Sequence, residues 1–373
     1  MKLIKLICWG GFFCVFIFLI LEIIVRVFFP VPMEPGVSLT LNNEIPGIRS
    51  NVRYSFDGYR LRTANWGDDQ EDDSIRVLCF GGNATTTVFQ KPEDTWWGKL
   101  ADKTSKAMGK NIEVGAMAKS SNGQFILPSF VNAEKIVKKY EPDLIVCCYG
   151  FGDTLHYNDY VYNRNKINIL RRGVPRGLKY SLAKMSHVMR LMRNKKTKRH
   201  LKEIWKPLNV PNYHRDLLFR DRLYYQSCPE LDYINRDIHD PLNEFVDGIR
   251  AFSELAIKHG CKLLVVGEPT IHGAKLGKEE LSLMTSVYYP TKPVPGQGSG
   301  HRVRPETIAL ELERFYKAAS HYCEQSGVEW VNLHGMVPQT IEYFLGETDV
   351  TDLGALEIAD KLMVPVTNIL NEQ

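Results

Sequence analysis

Residues 75–86 read Ile-Arg-Val-Leu-Cys-Phe-Gly-Gly-Asn-Ala-Thr-Thr, and this stretch determines the predicted fold. The apolar residues 75–80 predict a buried strand. The two glycines that follow allow a tight turn, which presents Asn83 at the carboxyl end of that strand. Open α/β sheets place their binding and catalytic sites at this end. We therefore predict that Asn83 lies at the functional edge of a parallel sheet.

A pattern that repeats along the chain predicts the rest of this sheet. Helix-like segments end at Gly109, Gly260 and Gly327, and a short apolar strand follows each glycine, as is typical of a helix-to-strand connection. The five predicted strands are 75–80, 112–117, 144–148, 263–266 and 328–333. The predicted helices are 95–107, 130–140, 241–259, 305–324 and 353–368. Strands that alternate with helices favour a parallel sheet with helices on both faces.

The N-terminal residues predict a membrane anchor. Residues 6–29 are apolar or small except for Glu22 and Arg26, and 24 residues are long enough to cross about 30 Å of hydrocarbon. Two lysines precede the span, which places the N-terminus in the cytoplasm. The alternative is a cleaved secretory signal, but the run is long for one and lacks a small-x-small cleavage site near Pro30. We expect residues 1–30 to be a single-pass anchor that contacts membrane lipid.

Two further segments are predicted to surround the folded domain at 74–373. Residues 31–73 are rich in Pro, Gly, Asn and Asp and are interpreted as a juxtamembrane linker. Residues 154–240 form an insertion without a strand pattern, in which 164–206 hold fifteen Lys or Arg and one acidic residue. This basic stretch is either a solvated face or a surface for anionic lipid, acidic glycan or an acidic partner. Its predicted basic surface comprises Lys179, Lys184, Arg190, Arg193, Lys195 and Lys196.

Charge and cysteine spacing argue against nucleic-acid binding and against a metal or cofactor site. The net charge of +4 is small, and a domain outside the cytoplasm has no nucleic acid to bind. The eight cysteines include no CxxC pair and no Cys/His metal spacing, so we predict no cofactor and no metal site. Cysteines in the strand-like runs are interpreted as buried free thiols, with one disulfide as the alternative. These cysteines are Cys79, Cys147, Cys148 and Cys261.

The order of these features resembles the SGNH/GDSL hydrolase family over about residues 75–370. The resemblance rests on the five strands, the Gly-Gly-x-x-Thr-Thr turn at 81–86 and the Gly-x-x-Asp turn at 150–153. It implies a flavodoxin-like, three-layer α/β/α sandwich with a five-stranded parallel sheet. It also implies a Ser-His-Asp triad and an oxyanion hole that remove acyl groups from glycans or lipids. The oxyanion-hole glycine of the family aligns with Ser120, or with Gly123 if three residues are inserted.

Every position of the triad that the resemblance implies is changed, and so is one donor of the oxyanion hole. Asn83 stands where the family has its nucleophilic serine, and a carboxamide has no comparable nucleophilic oxygen. Gly152 replaces the asparagine of the oxyanion hole. Gly346 and Asp349 stand where the orienting aspartate and the basic histidine belong. Because losing the nucleophile or the base alone costs on the order of a million-fold in turnover, these changes predict a catalytically inactive domain.

Six residues are predicted to form what remains of the site: Gly82, Asn83, Gly150, Asp153, His272 and Asp349. We expect Asn83, Asp153 and Asp349 to converge on its rim, where an amide and two carboxylates suit a cation or sugar hydroxyls. His272 and His301 lie in predicted loops, and a lone loop histidine is more often solvated than catalytic.

The leading hypothesis is an inactive SGNH-like domain anchored to a bacterial cytoplasmic membrane and exposed on its outer, periplasmic side. It would bind a glycan or serve as a subunit of an envelope complex. One alternative is an esterase or acetyltransferase that acts on envelope polysaccharide with a non-standard site. The other is an interaction protein that uses the basic helix of the insertion.

Overall fold

The computed structural model describes residues 17–18, 20–21, 37–41, 47, 52–56, 61–64, 74–86, 89–117, 126–154, 213–231, 241–273, 276–286 and 301–372. Among these residues, no helix is both long and apolar enough to cross a membrane. The predicted span 6–29 lies outside them except for the helical residues 17–18 and 20–21. The predicted basic surface at 179–196 also lies outside the described residues, as do Ser120 and Gly123.

A six-stranded sheet forms the centre of the fold. In chain order the strands are β1 (Val37–Leu41), β2 (Val52–Phe56), β3 (Leu61–Ala64), β4 (Ile75–Gly81), β5 (Ile112–Met117), β6 (Leu144–Tyr149), β7 (Glu230–Leu231), β8 (Lys262–Gly267), β9 (Arg302–Val303) and β10 (Glu329–Asn332). The central sheet has the order β10-β8-β6-β4-β5-β3, and the first five strands of this order are parallel. All five predicted strands are therefore confirmed. The pairs β1-β2 and β7-β9 form two small separate sheets.

Helices cover both faces of this sheet, as predicted. They are α1 (Asn83–Thr86), α2 (Trp96–Met108), α3 (Ile126–Tyr140), α4 (Phe151–Thr154), α5 (Tyr213–Ser227), α6 (Leu242–His259), α7 (Lys278–Leu281), α8 (Pro305–Ser326) and α9 (Asp352–Asn371). Apolar side chains of α2 and α9 form a core on one face, and those of α3, α6 and α8 form a core on the other. Gly109, Gly260 and Gly327 end α2, α6 and α8 in the left-handed conformation, with φ of 67°, 68° and 68°. This is the conformation that the helix-to-strand prediction required.

The sixth strand corrects the prediction of a purely parallel sheet. β3 lies within the predicted linker 31–73, yet it pairs antiparallel with β5 at the sheet edge. Leu61 and Arg62 are both buried, and Arg62 donates from Nη2 to the Gln90 carbonyl at 2.7 Å. Its guanidinium also lies 5.9 Å from the ring centre of Trp97. Four residues with a buried arginine give no strand periodicity, so the sequence pattern missed this strand.

The predicted buried thiols lie in the cores. Cys79, Cys147, Cys148 and Cys261 are each free and buried. Burial among apolar strands disfavours a thiolate, so the pKa of Cys79 is raised above that of an exposed thiol. These cysteines therefore pack as small apolar side chains, as predicted.

Candidate functional site

The turn after β4 is held rigidly by its neighbours. The Gly82 amide donates to the Cys148 carbonyl at 3.0 Å, which ties the turn to β6. Two indoles from α2 hold the other side: Trp96 Nε1 donates to the Ala84 carbonyl and Trp97 Nε1 to the Thr85 carbonyl, both at 3.1 Å. Asn83 is partly exposed at the tip of this turn. The structure therefore places Asn83 at the carboxyl edge of the sheet, as predicted.

The turn after β6 lies beside the turn after β4, and it has no side chain at Gly152. Gly150 has φ of 148°, and a Cβ atom there would lie 2.3 Å from the Tyr316 hydroxyl oxygen. Only glycine fits such a close approach. Gly152 is partly exposed and has no side chain with which to donate a hydrogen bond. The donor of an SGNH-type oxyanion hole is therefore absent at this position.

A buried carboxyl group, that of Glu268, joins the two turns. Its Oε1 accepts from the Ala84 amide and its Oε2 from the Phe151 amide, each at 3.3 Å. The Tyr316 hydroxyl donates to the Glu268 main-chain carbonyl at 2.9 Å. A Cβ atom on Gly82 would lie 2.4 Å from Oε1, so the glycine makes room for the carboxylate. Glu268 therefore occupies main-chain donors at the carboxyl ends of β4 and β6.

Burial controls the charge on Glu268. The side chain is 1% exposed, and loss of hydration raises its pKa to about 8, against the opposing effect of the two amide donors. The negative charge of Asp349 contributes to the rise. Near neutral pH this carboxyl group is therefore mostly protonated, and it gains its charge as the pH passes about 8.

The two predicted rim carboxylates, Asp153 and Asp349, differ in exposure. Asp153 is buried, and its Oδ1 accepts from the Ile126 amide at 3.1 Å. Burial raises its pKa well above its usual range, and the charge of Glu268 adds to this rise. Asp349 is only partly buried. Asn83 and Asp349 are thus partly exposed at this edge. The prediction that Asp153 lies on the rim is wrong, because its carboxyl group is buried in the protein interior.

The loop that carries Gly346 and Asp349 is fixed by a second buried carboxylate, Glu347. It accepts from the Ser286 amide, the Ser286 hydroxyl and the Thr285 hydroxyl, each at 2.8 Å. Desolvation raises the pKa of Glu347 despite these hydrogen bonds. On another side, Arg222 of α5 donates from Nη2 to the Leu345 carbonyl. The end of the insertion therefore packs against the loop that carries Asp349.

His272 and His301 are buried, so the expectation of solvated loop histidines is wrong. The His272 ring is 1% exposed and stacks on Phe151, with ring centres 5.1 Å apart and planes inclined by 16°. Desolvation lowers the pKa of His272 to about 3, with a smaller effect from His334, so the ring is neutral. Within the described part of the chain neither ring nitrogen of His272 or His301 has a hydrogen-bond partner. The His272 ring therefore packs behind the turn at Phe151.

Three important residues were missed by the sequence reasoning: Glu268, Glu347 and Arg222. Glu268 had a detectable signal, because an acidic residue directly after an apolar strand and a glycine falls at the functional edge of the sheet. Glu347 and Arg222 gave no such signal, since their roles depend on contacts between distant segments. No group of three or more His, Cys, Asp or Glu in the described ranges is arranged to hold a metal ion.

Comparisons with known proteins find similarity in structure and none in sequence. No family model matches the chain, and no curated protein matches it. An acetyl xylan esterase is 11% identical with a TM-score of 0.41, covering 78% of this chain and 100% of its own. A carbohydrate acetylesterase family member from Sinorhizobium meliloti is 11% identical, with a TM-score of 0.41 and coverages of 80% and 99%. The aryl esterase of M. smegmatis is 12% identical, with a TM-score of 0.38 and coverages of 79% and 99%. At these identities and TM-scores the matches carry no argument about this chain. The described residues show an α/β fold with a largely parallel central sheet, and the SGNH/GDSL resemblance stays a prediction from the sequence.

Proposed function

We propose that this chain is a non-hydrolytic SGNH-like domain, anchored to a bacterial cytoplasmic membrane, that binds a ligand or partner in the cell envelope. One observation carries the proposal. The Glu268 carboxyl group accepts from the Ala84 amide, next to Asn83 in the nucleophile's position, and from the Phe151 amide in the turn after β6. The site thus keeps the two turns of an acyl-hydrolase scaffold but packs a buried acidic group against both of them.

The chemistry of acyl transfer explains why this arrangement opposes hydrolysis. An ester is attacked by an activated nucleophile, and the oxyanion that forms is stabilised by donors with no other acceptor. Asn83 supplies no such nucleophile, and Gly152 supplies no side-chain donor. Glu268 lies against the turn that carries Asn83, and above about pH 8 its negative charge would repel an oxyanion that formed there. Asn83 and Gly152 each remove a requirement of the reaction, and the charge of Glu268 opposes it.

The partly exposed groups favour a ligand with hydroxyl groups. Asn83 and Asp349 are both partly exposed at this edge, and a carboxamide and a carboxylate are side-chain types that hydrogen-bond sugar hydroxyls. This pair suits sugar hydroxyls better than an anionic group, because the neighbouring buried acids Glu268 and Asp153 add no positive charge. A glycan of the cell envelope is therefore the ligand class that we favour.

The enzymatic alternative draws on the raised pKa of Glu268. A carboxylic acid with a pKa of about 8 beside a second carboxylate, Asp349, is a combination that suits general acid–base catalysis. Against this, Glu268 is 1% exposed and both of its oxygens accept main-chain hydrogen bonds. We therefore favour a structural role for Glu268, and the following assay separates the two roles.

A serine-reactive fluorophosphonate probe and an aryl-acetate assay test for hydrolysis in the full-length protein. We expect neither stoichiometric labelling nor turnover in the wild type. Asn83→Ser should also remain inactive, because Asp349 stands at the position of the base. Asn83→Ala serves as the matched control for the loss of the amide. Turnover by the wild type that disappears in Glu268→Gln or Asp349→Asn would establish the enzymatic alternative and overturn the proposal.

Binding to envelope polysaccharide fragments tests the ligand class by titration calorimetry. Asn83→Ala and Asp349→Ala should weaken binding, whereas reversing the charges of Lys184 and Arg190 should leave it unchanged. The opposite result, in which only charge reversal weakens binding to membranes or partners, would favour the basic insertion as the functional surface.

A further inference from the structure

The direction in which the chain enters the central sheet is fixed by the register of β3. Leu61, the first residue of β3, pairs with Met117, the last residue of β5. Because β5 is parallel to β4, Met117 lies at the carboxyl edge, the same edge as Asn83. The chain therefore reaches the sheet from the side of the candidate site and then runs away from it.

A second contact of the N-terminal region lies at the same edge. The Gly47 carbonyl accepts from the Asp352 amide at 2.9 Å, at the first turn of α9. Gly47 has φ of 83°, and a Cβ atom there would lie 2.7 Å from the Thr351 Cγ2 atom. Since Thr351 and Asp352 directly follow the loop that carries Asp349, Gly47 packs beside the candidate site.

The length of chain between these contacts and residue 29 is short. Val37 pairs with Phe56, and four residues, 57–60, connect Phe56 to Leu61. Eight residue steps separate residue 29 from Val37, and at no more than about 3.6 Å each they span at most about 30 Å. The two edges of the sheet are about one strand length, or roughly 20 Å, apart, so this span alone reaches either edge. The contacts of Leu61 and Gly47 are what select the carboxyl edge.

The described residues of the predicted anchor have the character expected next to lipid. Four helical residues of this segment have exposed apolar side chains. Their exposed fractions are 42% for Ile17, 38% for Phe18, 42% for Ile20 and 45% for Leu21. Four neighbouring apolar side chains left open to solvent are unfavourable in water, and contact with hydrocarbon removes that cost.

We infer that the carboxyl edge of the sheet, with Asn83 and Asp349, faces the membrane surface. The inference rests on the membrane anchor of the proposed function, and it narrows the class of ligand that the candidate site would bind. A site that faces the bilayer takes a ligand that is itself attached to lipid, such as a lipid-linked glycan. A freely diffusing polysaccharide would have no need of this orientation.

Energy transfer from the protein to labelled lipid tests the orientation. The full-length protein is reconstituted in lipid nanodiscs that contain an acceptor dye on the lipid headgroup. A donor dye is attached through Leu353→Cys, which is exposed in the first turn of α9, or through Lys110→Cys, which is exposed at the amino edge before β5. Cys8 and Cys14 are replaced by serine, and the six described native cysteines are buried.

We expect a several-fold higher transfer rate from position 353 than from position 110. Equal rates, or a higher rate from position 110, would overturn the inference. Absence of transfer from both positions would overturn it as well, because the chain would then not be held at the membrane. The energy-transfer result does not depend on the fluorophosphonate assay. The two experiments therefore show separately whether the proposed orientation is wrong and whether the proposed lack of hydrolysis is wrong.

Discussion

Replacing Glu268 with glutamine should change how the stability of the protein depends on pH. In the folded protein the pKa of Glu268 is about 8, compared with 4.5 for an exposed glutamate. The folded state therefore holds this proton more tightly than the unfolded state. The associated stability is fully present below pH 4.5 and is lost as the pH rises through 8.

The size of this effect follows from the difference between the two pKa values. About 3.5 units at 1.36 kcal/mol per unit give roughly 5 kcal/mol of stability lost across this window. Glutamine keeps one acceptor oxygen but leaves the Ala84 or Phe151 amide facing an NH₂ group, which costs about 1–3 kcal/mol at every pH. Glu268→Gln should therefore be less stable than the wild type at pH 5 and more stable at pH 9.

Urea unfolding of the full-length protein in detergent, measured between pH 5 and 9, tests this crossover. The buried indoles of Trp96 and Trp97 contact the turn next to Glu268 and provide the fluorescence signal. Glu254→Gln removes an acid from an exposed position of α6 and serves as the control for net charge. Parallel curves for the wild type and Glu268→Gln would refute the reasoning, since Glu268 would then not titrate in this range.

Three further substitutions, one of them with a control at Gly109, test the surroundings of the site. His272→Phe should make the protein less sensitive to acid. The wild type loses stability as the pH falls from 6.5 to 3, because the pKa of His272 is about 3 in the folded state and 6.5 in an exposed histidine. The variant should therefore unfold at a lower pH midpoint than the wild type. Gly82→Ala should lower the free energy of unfolding by about 1–3 kcal/mol, because the added methyl group crowds Glu268. The control Gly109→Ala meets no atom within 4 Å and should cost only the strain of its positive φ, about 1 kcal/mol. A lower urea midpoint for Gly109→Ala than for Gly82→Ala would contradict this expectation. Thr351→Ala removes the side-chain cap of α9 and should lower the free energy of unfolding by about 1–2 kcal/mol, and an unchanged urea midpoint would count against the cap.

The parallel part of the fold was predictable because its signals are local. Gly109, Gly260 and Gly327 each combine a helix end with an apolar strand a few residues later, and each adopts the left-handed conformation. Such a signal needs only the residues on either side of the glycine. The position of Asn83 at the carboxyl edge followed from the same kind of evidence, since a strand and a turn fix it together.

The interior of the site was not predictable because it depends on contacts between distant residues. Glu268 meets Ala84 from 184 residues away, and Gln90 reaches Asp352 across 262 residues. His272 follows a strand in a polar-looking loop, yet it is buried against Phe151. Burial of polar side chains is decided by what packs over them, which a single sequence does not reveal.

The antiparallel strand β3 also has a practical consequence for shortened versions of the chain. A version that began at residue 74, the predicted start of the domain, would lack Leu61–Ala64 and leave the outer edge of β5 unpaired. That edge belongs to Ile112–Met117, every residue of which is buried. An uncovered apolar strand of this kind recruits strands from other molecules. Soluble, monodisperse protein should therefore require that the chain begin before residue 61, and aggregation should set in once β3 is removed.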